Sequence, residues 1–272
     1  MDSQAQKAER FLALHTGSAP LLMPNPWDLG SARLLTWLGF EALGTTSSGF
    51  AATLGRLDGS VDRDEAIAHS AAMAAATTVP VSADLENGFS SDPAGVAETV
   101  RLAMQAGLAG CSIEDYSGQA DMPIYDAELA AERISAAADV AHGVSVHLVL
   151  TARAENYLHD RPDLTDTIAR LQRYQEAGAD VLYAPGLTRL DDIASVVSSL
   201  DRPVNVLARP HGPSVAELAA VGVGRVSVGG AFAFAALGAL VEAARELQAG
   251  DSSMFLERAR LGASAAQAAF DD

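Results

Sequence analysis

Gln105-Ala-Gly-Leu-Ala-Gly-Cys-Ser-Ile-Glu-Asp115 reads as a helix end, a glycine stop, a short apolar strand and two carboxylates where that strand closes. Gly just past a helix adopts the left-handed conformation at little cost, so Ala-Gly before an apolar run marks a helix-to-strand junction. The junction returns at Trp37-Leu-Gly-Phe-Glu-Ala-Leu43, Glu176-Ala-Gly-Ala-Asp-Val-Leu182 and Ala220-Val-Gly-Val-Gly-Arg-Val226. One strand–helix unit is therefore reused along the chain, at uneven spacing because the loops differ.

Working outward, the apolar runs predict strands at 21–24, 41–46, 79–86, 109–115, 146–153, 180–185, 204–208 and 225–229. Helices are expected at 29–38, 63–77, 93–106, 126–142, 164–177, 190–199, 214–221 and 231–248. Strands that alternate with helices imply an α/β fold with a parallel sheet, and eight units imply closure into a (β/α)8 TIM-type barrel. A leading helix over 3–16 (segment 1–18) and an extra C-terminal helix over 252–270 (segment 252–272) stand outside the units. No stretch rich in Pro, Gly or Ser divides the chain, so residues 1–272 are expected to form a single barrel domain. The trailing helix packs on the barrel's own floor or side, or docks on a partner subunit.

The 272 residues carry 18 basic against 35 acidic side chains, a net charge of −17. Such a surface repels nucleic acid and anionic membranes, so neither is an expected partner. An anionic substrate then needs local positive charge from a metal ion or a particular arginine. Cys111 is the single cysteine, which leaves no intrachain disulfide and points to a reducing compartment. The N-terminus is polar and no window approaches the roughly 18 apolar residues of a membrane span, so a cytoplasmic location is expected.

Catalytic residues in such barrels sit where strands end. Reading those ends in order gives Asn25, Thr45–Gly49, Asp84 and Glu86, Glu114 and Asp115, Arg153 and Glu155, Asn205, Arg209 and His211, and Gly229-Gly230. Residues i and i+2 of a strand share a face, so Asp84 and Glu86 are expected to point the same way. Carboxylates gathered there repel one another and lose water, a problem that a divalent cation removes. Asp58, Asp84, Glu86 and Glu114 suit a hard ion, Mg2+ or Mn2+ in its place, with Asp84 in direct contact and the others holding waters. Without a cluster of His and Cys in the sequence, zinc is not expected.

Thr45-Thr-Ser-Ser-Gly49 reads as a turn whose backbone N–H groups hold a carboxylate, or simply as a turn. Arg153 can grip a carboxylate bidentately, or pair with Glu155 or Glu114. His211, in a Pro-His-Gly-Pro loop at the mouth, is a candidate proton donor or substrate ligand. His15, His69, His142, His147 and His159 lack motifs and read as structural or solvated, and Cys111 reads as a buried core residue. The expected catalytic residues are Asp58, Arg153 and His211.

Taken together, Met23-Pro-Asn-Pro-Trp-Asp28, Thr45-Thr-Ser-Ser-Gly-Phe-Ala-Ala-Thr-Leu-Gly55, Ser82-Ala-Asp-Leu-Glu-Asn-Gly88, Ser112-Ile-Glu-Asp115, Thr151-Ala-Arg153 and Pro185-Gly186 resemble the isocitrate lyase/phosphoenolpyruvate mutase superfamily. The resemblance runs from about residue 20 to residue 250. It implies a barrel whose last helix is exchanged with a neighbouring subunit, in a homodimer or homotetramer. It also implies Mg2+, a 2-oxo or 2-hydroxy acid substrate, and chemistry through a pyruvate-like enolate. By position, Asp84 resembles the direct metal ligand, with Asp58, Glu86 and Glu114 around it. Thr46 and Ser47 resemble the turn that binds the substrate carboxylate, Arg153 the arginine over the reacting group, and Asn205 a substrate contact.

The chain departs from that pattern after the fourth strand. Isocitrate and methylisocitrate lyases carry a Cys-bearing basic loop there, and the mutases and phosphonate hydrolases keep Lys and Asn. Here the stretch is Tyr116-Ser-Gly-Gln-Ala-Asp-Met-Pro-Ile-Tyr125. The remaining expectation is a Mg2+-dependent carbon–carbon lyase of the oxaloacetate decarboxylase kind. The alternatives are an isocitrate- or methylisocitrate-type lyase in which Tyr116, Tyr125 or His211 replaces the cysteine, and a 2-oxo acid binding protein without catalysis.

Overall fold

A computed structural model of the protein describes residues 2–143, 145–251 and 253–270. Met1, Ser252 and residues 271–272, which bound the expected leading and trailing segments, lie outside them. Among the described residues the chain runs α1 (Gln4–Ala13), β1 (Leu21–Met23), α2 (Leu29–Trp37), β2 (Leu43–Gly44), α3 (Ser47–Thr53), α4 (Arg63–Ala76), β3 (Val81–Asp84), α5 (Pro93–Gln105), β4 (Gly110–Glu114) and α6 (Ala127–Ala141). It continues through β5 (Val149–Arg153), α7 (Leu164–Glu176), β6 (Val181–Tyr183), α8 (Leu190–Ser198), β7 (Val204–Leu207), α9 (Val215–Ala220), β8 (Arg225–Ser227), α10 (Ala231–Gln248) and α11 (Ser253–Phe270). The eight strands are all parallel, in the order β1-β8-β7-β6-β5-β4-β3-β2. The N–H of Gly44 donates to Pro24 C=O at 3.1 Å across the β1–β2 seam, so the (β/α)8 barrel is all but closed.

Local chemistry places the helix starts. Asp28 with Ser31, Asp62 with Glu65, and Ser214 with Glu217 form reciprocal capping boxes, while Asp92 caps a helix that opens on Pro93. Strands are shorter than the apolar runs predict, because ladder pairing stops where the loops bend outward. The added helix, α3, occupies the stretch expected to be a turn. Thr46 accepts from Gly49 N–H at 3.4 Å and so caps the helix, which Phe50-Ala-Ala then carries forward.

Between strands and helices lies the main apolar layer, with Leu43, Val81, Leu85, Ile113, Leu150, Leu182 and Val206 among its buried members. A second cluster lies at the strands' N-terminal ends. Ala8 and Phe11 of α1 pack there on Leu21, Ala42, Ala109, Val149 and Val181, so the leading helix stoppers the barrel floor. Gly110 permits that approach, since a Cβ there would meet the Phe11 ring at 2.7 Å and Val149 O at 2.8 Å. The trailing helix α11 lies against α2 of its own chain, with the Phe270 ring beside Gly30. No described helix is long and apolar enough to cross a membrane.

Candidate active site

Barrel shear sets which side chains meet. In register, Glu114 pairs with Arg153, Arg153 with Tyr183, Tyr183 with Asn205, Asn205 with Arg225 and Arg225 with Leu21. Neighbours in a parallel ladder point to the same side, and the tilt of the strands makes this row descend from rim to floor. Arg153, Tyr183, Asn205 and Arg225 accordingly line one inner cavity of about 180 Å³, with Thr45, Ser47, Asp58 and Asp84 at its upper edge. An outer cavity of about 670 Å³ adjoins it through Ser47, Asp58, Arg153 and Leu158, and adds Glu86, Glu114, Tyr116, Glu155 and His159.

Arg153, at the end of β5, is the hub. Its Nη1 donates to Asp84 Oδ1 at 2.9 Å, Nη2 lies 2.9 Å from Glu114 Oε2, and Nε donates to Glu155 Oε1 at 2.7 Å. Its guanidinium carbon also stands 5.4 Å from the Tyr183 ring centre. One cation thus serves three buried or half-buried carboxylates, and two further acids, Asp58 and Glu86, stand nearby. Burial, then the charges of Asp84 and Asp58, push the Glu86 carboxyl up to about 7. Burial also raises Asp58, despite the Ser47 hydroxyl, and raises Glu114 well above the usual carboxylate range against the pull of Arg153. Negative charge is in surplus at this rim.

Several expected residues sit differently from the sequence expectation. Asp84 ends β3, but Glu86 lies beyond the strand with φ 47°, so the two do not share a strand face and meet only because the chain turns in the left-handed region. Ser47 N–H, expected to hold a substrate carboxylate, already donates to Asp84 Oδ2 at 3.2 Å. Thr46 Oγ1 is engaged with Ser48 Oγ and Gly49 N–H. Asn205 is buried in the inner cavity wall, where Oδ1 accepts from Arg225 Nε at 2.9 Å and Nδ2 donates to Ser227 Oγ at 3.0 Å. His211 stands exposed on its turn with φ 63°, outside the lining of both cavities. Asp115 alternates away from Glu114 and braces the helix layer, accepting from Tyr174 Oη at 2.6 Å, Glu155 N–H at 2.8 Å and Arg170 at 3.2 Å.

Arg225 is the residue that sequence reading passes over. It is buried on the cavity floor, and among the described residues its hydrogen-bond partners are neutral: Asn205 Oδ1, Thr151 Oγ1 at 3.1 Å and His15 Nε2 at 3.1 Å. Burial brings its guanidinium down to about 10, and burial with the Arg225 charge holds His15 down to about 3. Its sequence signal was an arginine opening an apolar strand. Tyr116 and His159 stack over the outer cavity, rings 3.7 Å apart and 4° from parallel. Tyr125 instead lies buried under the Arg133 guanidinium, and Cys111 is buried in the apolar layer as expected.

By donor chemistry the rim suits a hard divalent cation, although among the described residues no three of its carboxylates bring their oxygens within 4.8 Å of one another. Asp58, Asp84, Glu86 and Glu114 offer oxygen only, at a rim where burial raises three carboxyl groups against the pull of one shared cation, Arg153. Arg153 lies among Asp84, Glu114 and Glu155 and is the cation they share.

The phosphoenolpyruvate phosphomutase family profile matches residues 11–248. A crystal structure from Burkholderia cenocepacia J2315, provisionally labelled a lyase/mutase, is 56% identical and superposes with a TM-score of 0.88 over 90% of this chain and 88% of its own. An uncharacterized protein of Mycobacterium tuberculosis is 37% identical over 243 residues, 89% of this chain and 90% of that one. Oxaloacetate decarboxylase 2 of Pseudomonas putida is 29% identical over 231 residues, 81% of this chain and 74% of that one.

Proposed function

The chain belongs to the phosphoenolpyruvate phosphomutase family, and from that premise we propose that it is a Mg2+-dependent carbon–carbon lyase acting on a small 2-oxo acid, of the oxaloacetate decarboxylase kind. The observation that carries the reading is the surplus of carboxylates around Arg153, where a small inner cavity meets a wider outer one.

Asp84, with Asp58, Glu86 and Glu114 around it, would hold the ion. When bound, Mg2+ supplies Lewis acidity toward the 2-oxo carbonyl oxygen. The protein's own part is orientation and desolvation. Asp84 is fixed by Ser47 N–H and by Arg153, and its N–H is itself held by Thr45 Oγ1 at 2.9 Å. Arg153 presents a planar cation beside the reacting group, suited to negative charge that builds on a carbonyl oxygen. Tyr183 and Leu158 line the cavity beside Arg153. Decarboxylation needs little else: the bond from C3 to the carboxylate breaks, CO2 departs, its electron pair stays as an enolate, and solvent returns the proton at C3. The absence of Cys, Lys and His from 116–125 leaves this as the chemistry that demands least from the loop.

Release of pyruvate from oxaloacetate by the purified chain tests the reading. Turnover that requires Mg2+ and is lost in Asp84→Ala supports it, and no turnover with Mg2+ in excess removes it.

The stacked Tyr116 and His159 favour a second reading, cleavage of a longer 2-hydroxy acid with Tyr116 as the acid–base group. Cleavage of methylisocitrate that disappears in Tyr116→Phe would select it over the first. Assembly as a homodimer or homotetramer belongs to the same proposal. Phe234, Leu240, Leu256 and Leu261 of α10 and α11 are exposed, and an exchanged or docked helix would cover them. Light scattering reads that assembly directly.

A further inference from the structure

At the opposite end of β5 and β6 from the catalytic rim, three side chains meet that the proposed reaction does not use. His142 closes α6, His147 precedes β5, and Asp180 precedes β6. His142 Nε2 lies 3.1 Å from Asp180 Oδ2, and His147 Nε2 lies 2.9 Å from Asp180 Oδ1. The two imidazoles are stacked, centres 4.2 Å apart and 13° from parallel, so that both present Nε2 to one carboxylate. Asp180 is 6% exposed, and among the described residues the histidines are its ion-pair partners. Leu150 N–H donates to Asp180 Oδ2 at 2.9 Å and fixes the carboxylate's orientation.

We propose that His142, His147 and Asp180 form a second metal site, on the floor of the barrel, for a divalent transition-metal ion of the Zn2+ type. The three ligand atoms lie within 4.8 Å of one another. Tetrahedral zinc bonds of about 2.0–2.2 Å place ligand atoms about 3.3–3.6 Å apart, so small ring movements admit the ion. Two imidazole nitrogens and one carboxylate suit zinc and its neighbours, whereas the oxygen-only rim suits Mg2+. The histidine side chains are 31% and 43% exposed, which leaves room for water as a fourth ligand and a path for the ion. A bound ion ties the end of α6 to the starts of β5 and β6. The site is therefore structural, and separate from the catalytic rim.

The untagged full-length chain, stripped with chelator, is titrated calorimetrically with Zn2+ in excess Mg2+, and Co2+ uptake is followed by visible absorption. The expected result is one Zn2+ per chain, an intense tetrahedral Co2+ band and a higher Tm with Zn2+. His142→Ala and His147→Ala should each weaken uptake by at least about 100-fold, while Asp84→Ala leaves it unchanged. Should an alanine variant fail to fold in chelator, His147→Gln, which keeps a donor for Asp180, takes the same readouts. No uptake in excess Mg2+, uptake indifferent to both histidines, or uptake lost in Asp84→Ala each overturns the proposal. The first of these would make the cluster a hydrogen-bonded clamp only.

Discussion

Glu86→Gln should make the metal-free protein more stable above pH 4.5, by an amount that grows up to about pH 7. In the fold the Glu86 carboxyl is raised from 4.5 to about 7, chiefly by burial and then by Asp84 and Asp58. The difference, from 4.5 to about 7, at about 1.4 kcal/mol per pH unit, means the ionised group costs the fold about 3.5 kcal/mol. Its partial exposure trims that to about 2–3 kcal/mol. The folded state binds this proton more tightly than the unfolded state. Ionisation is therefore free of penalty below pH 4.5, and the penalty grows up to pH 7 and is complete above it. Glutamine is isosteric and uncharged, so it escapes the cost. Urea unfolding in EDTA should show wild type and variant with equal midpoints near pH 4, and the variant higher at pH 8 with an unchanged m-value. A variant no more stable at pH 8, or equally favoured at both pH values, would refute the claim that negative charge is in surplus at the rim.

Arg153→Met should abolish turnover. It should also cost about 3–5 kcal/mol in urea unfolding, because Asp84, Glu114 and Glu155 lose their shared cation while buried or half-buried. Arg153→Met as stable as wild type would contradict the hub. His15, held down to about 3 by burial and by Arg225, should show ring proton resonances that do not titrate between pH 8 and pH 4. The contribution of His15 to stability should correspondingly fall as pH drops below 6.5, by up to about 1.4 kcal/mol per unit, since only the unfolded chain takes up that proton; it opposes the gain from Glu86 over the same range and is read against His15→Gln. Gly110→Ala should destabilise by about 1–3 kcal/mol, because its Cβ meets the Phe11 ring and Val149 O. A neutral result in thermal melts would show that α1 yields at the floor.

The barrel was legible because its signals are local. Gly past a helix end and an apolar run after it recur at four helix-to-strand junctions, and the same periodicity located the rim where Asp84, Glu114 and Arg153 emerge. What escaped was long-range geometry. Thr46 looked like a turn residue because Gly49 follows closely, yet Gly inside the first turn is tolerated once Thr46 caps the helix. Strand alternation over 79–86 predicted a shared face for Asp84 and Glu86, but the strand ends at Asp84 and a left-handed residue supplies the meeting. Arg225 went unmarked because shear, which no local pattern encodes, carries it beneath Arg153 on one register row. His142, His147 and Asp180 stand 33 and 38 residues apart where they bond, so no spacing rule could gather them.

Calorimetric titration of the full chain with pyruvate, in Mg2+, in EDTA and in Asp84→Ala, tests most directly the idea that the rim carboxylates bind a 2-oxo acid together with a hard cation. The account predicts heat of binding with Mg2+ alone, and none in EDTA or in the variant. Pyruvate binding that is as tight in EDTA, or that survives Asp84→Ala unchanged, would contradict it.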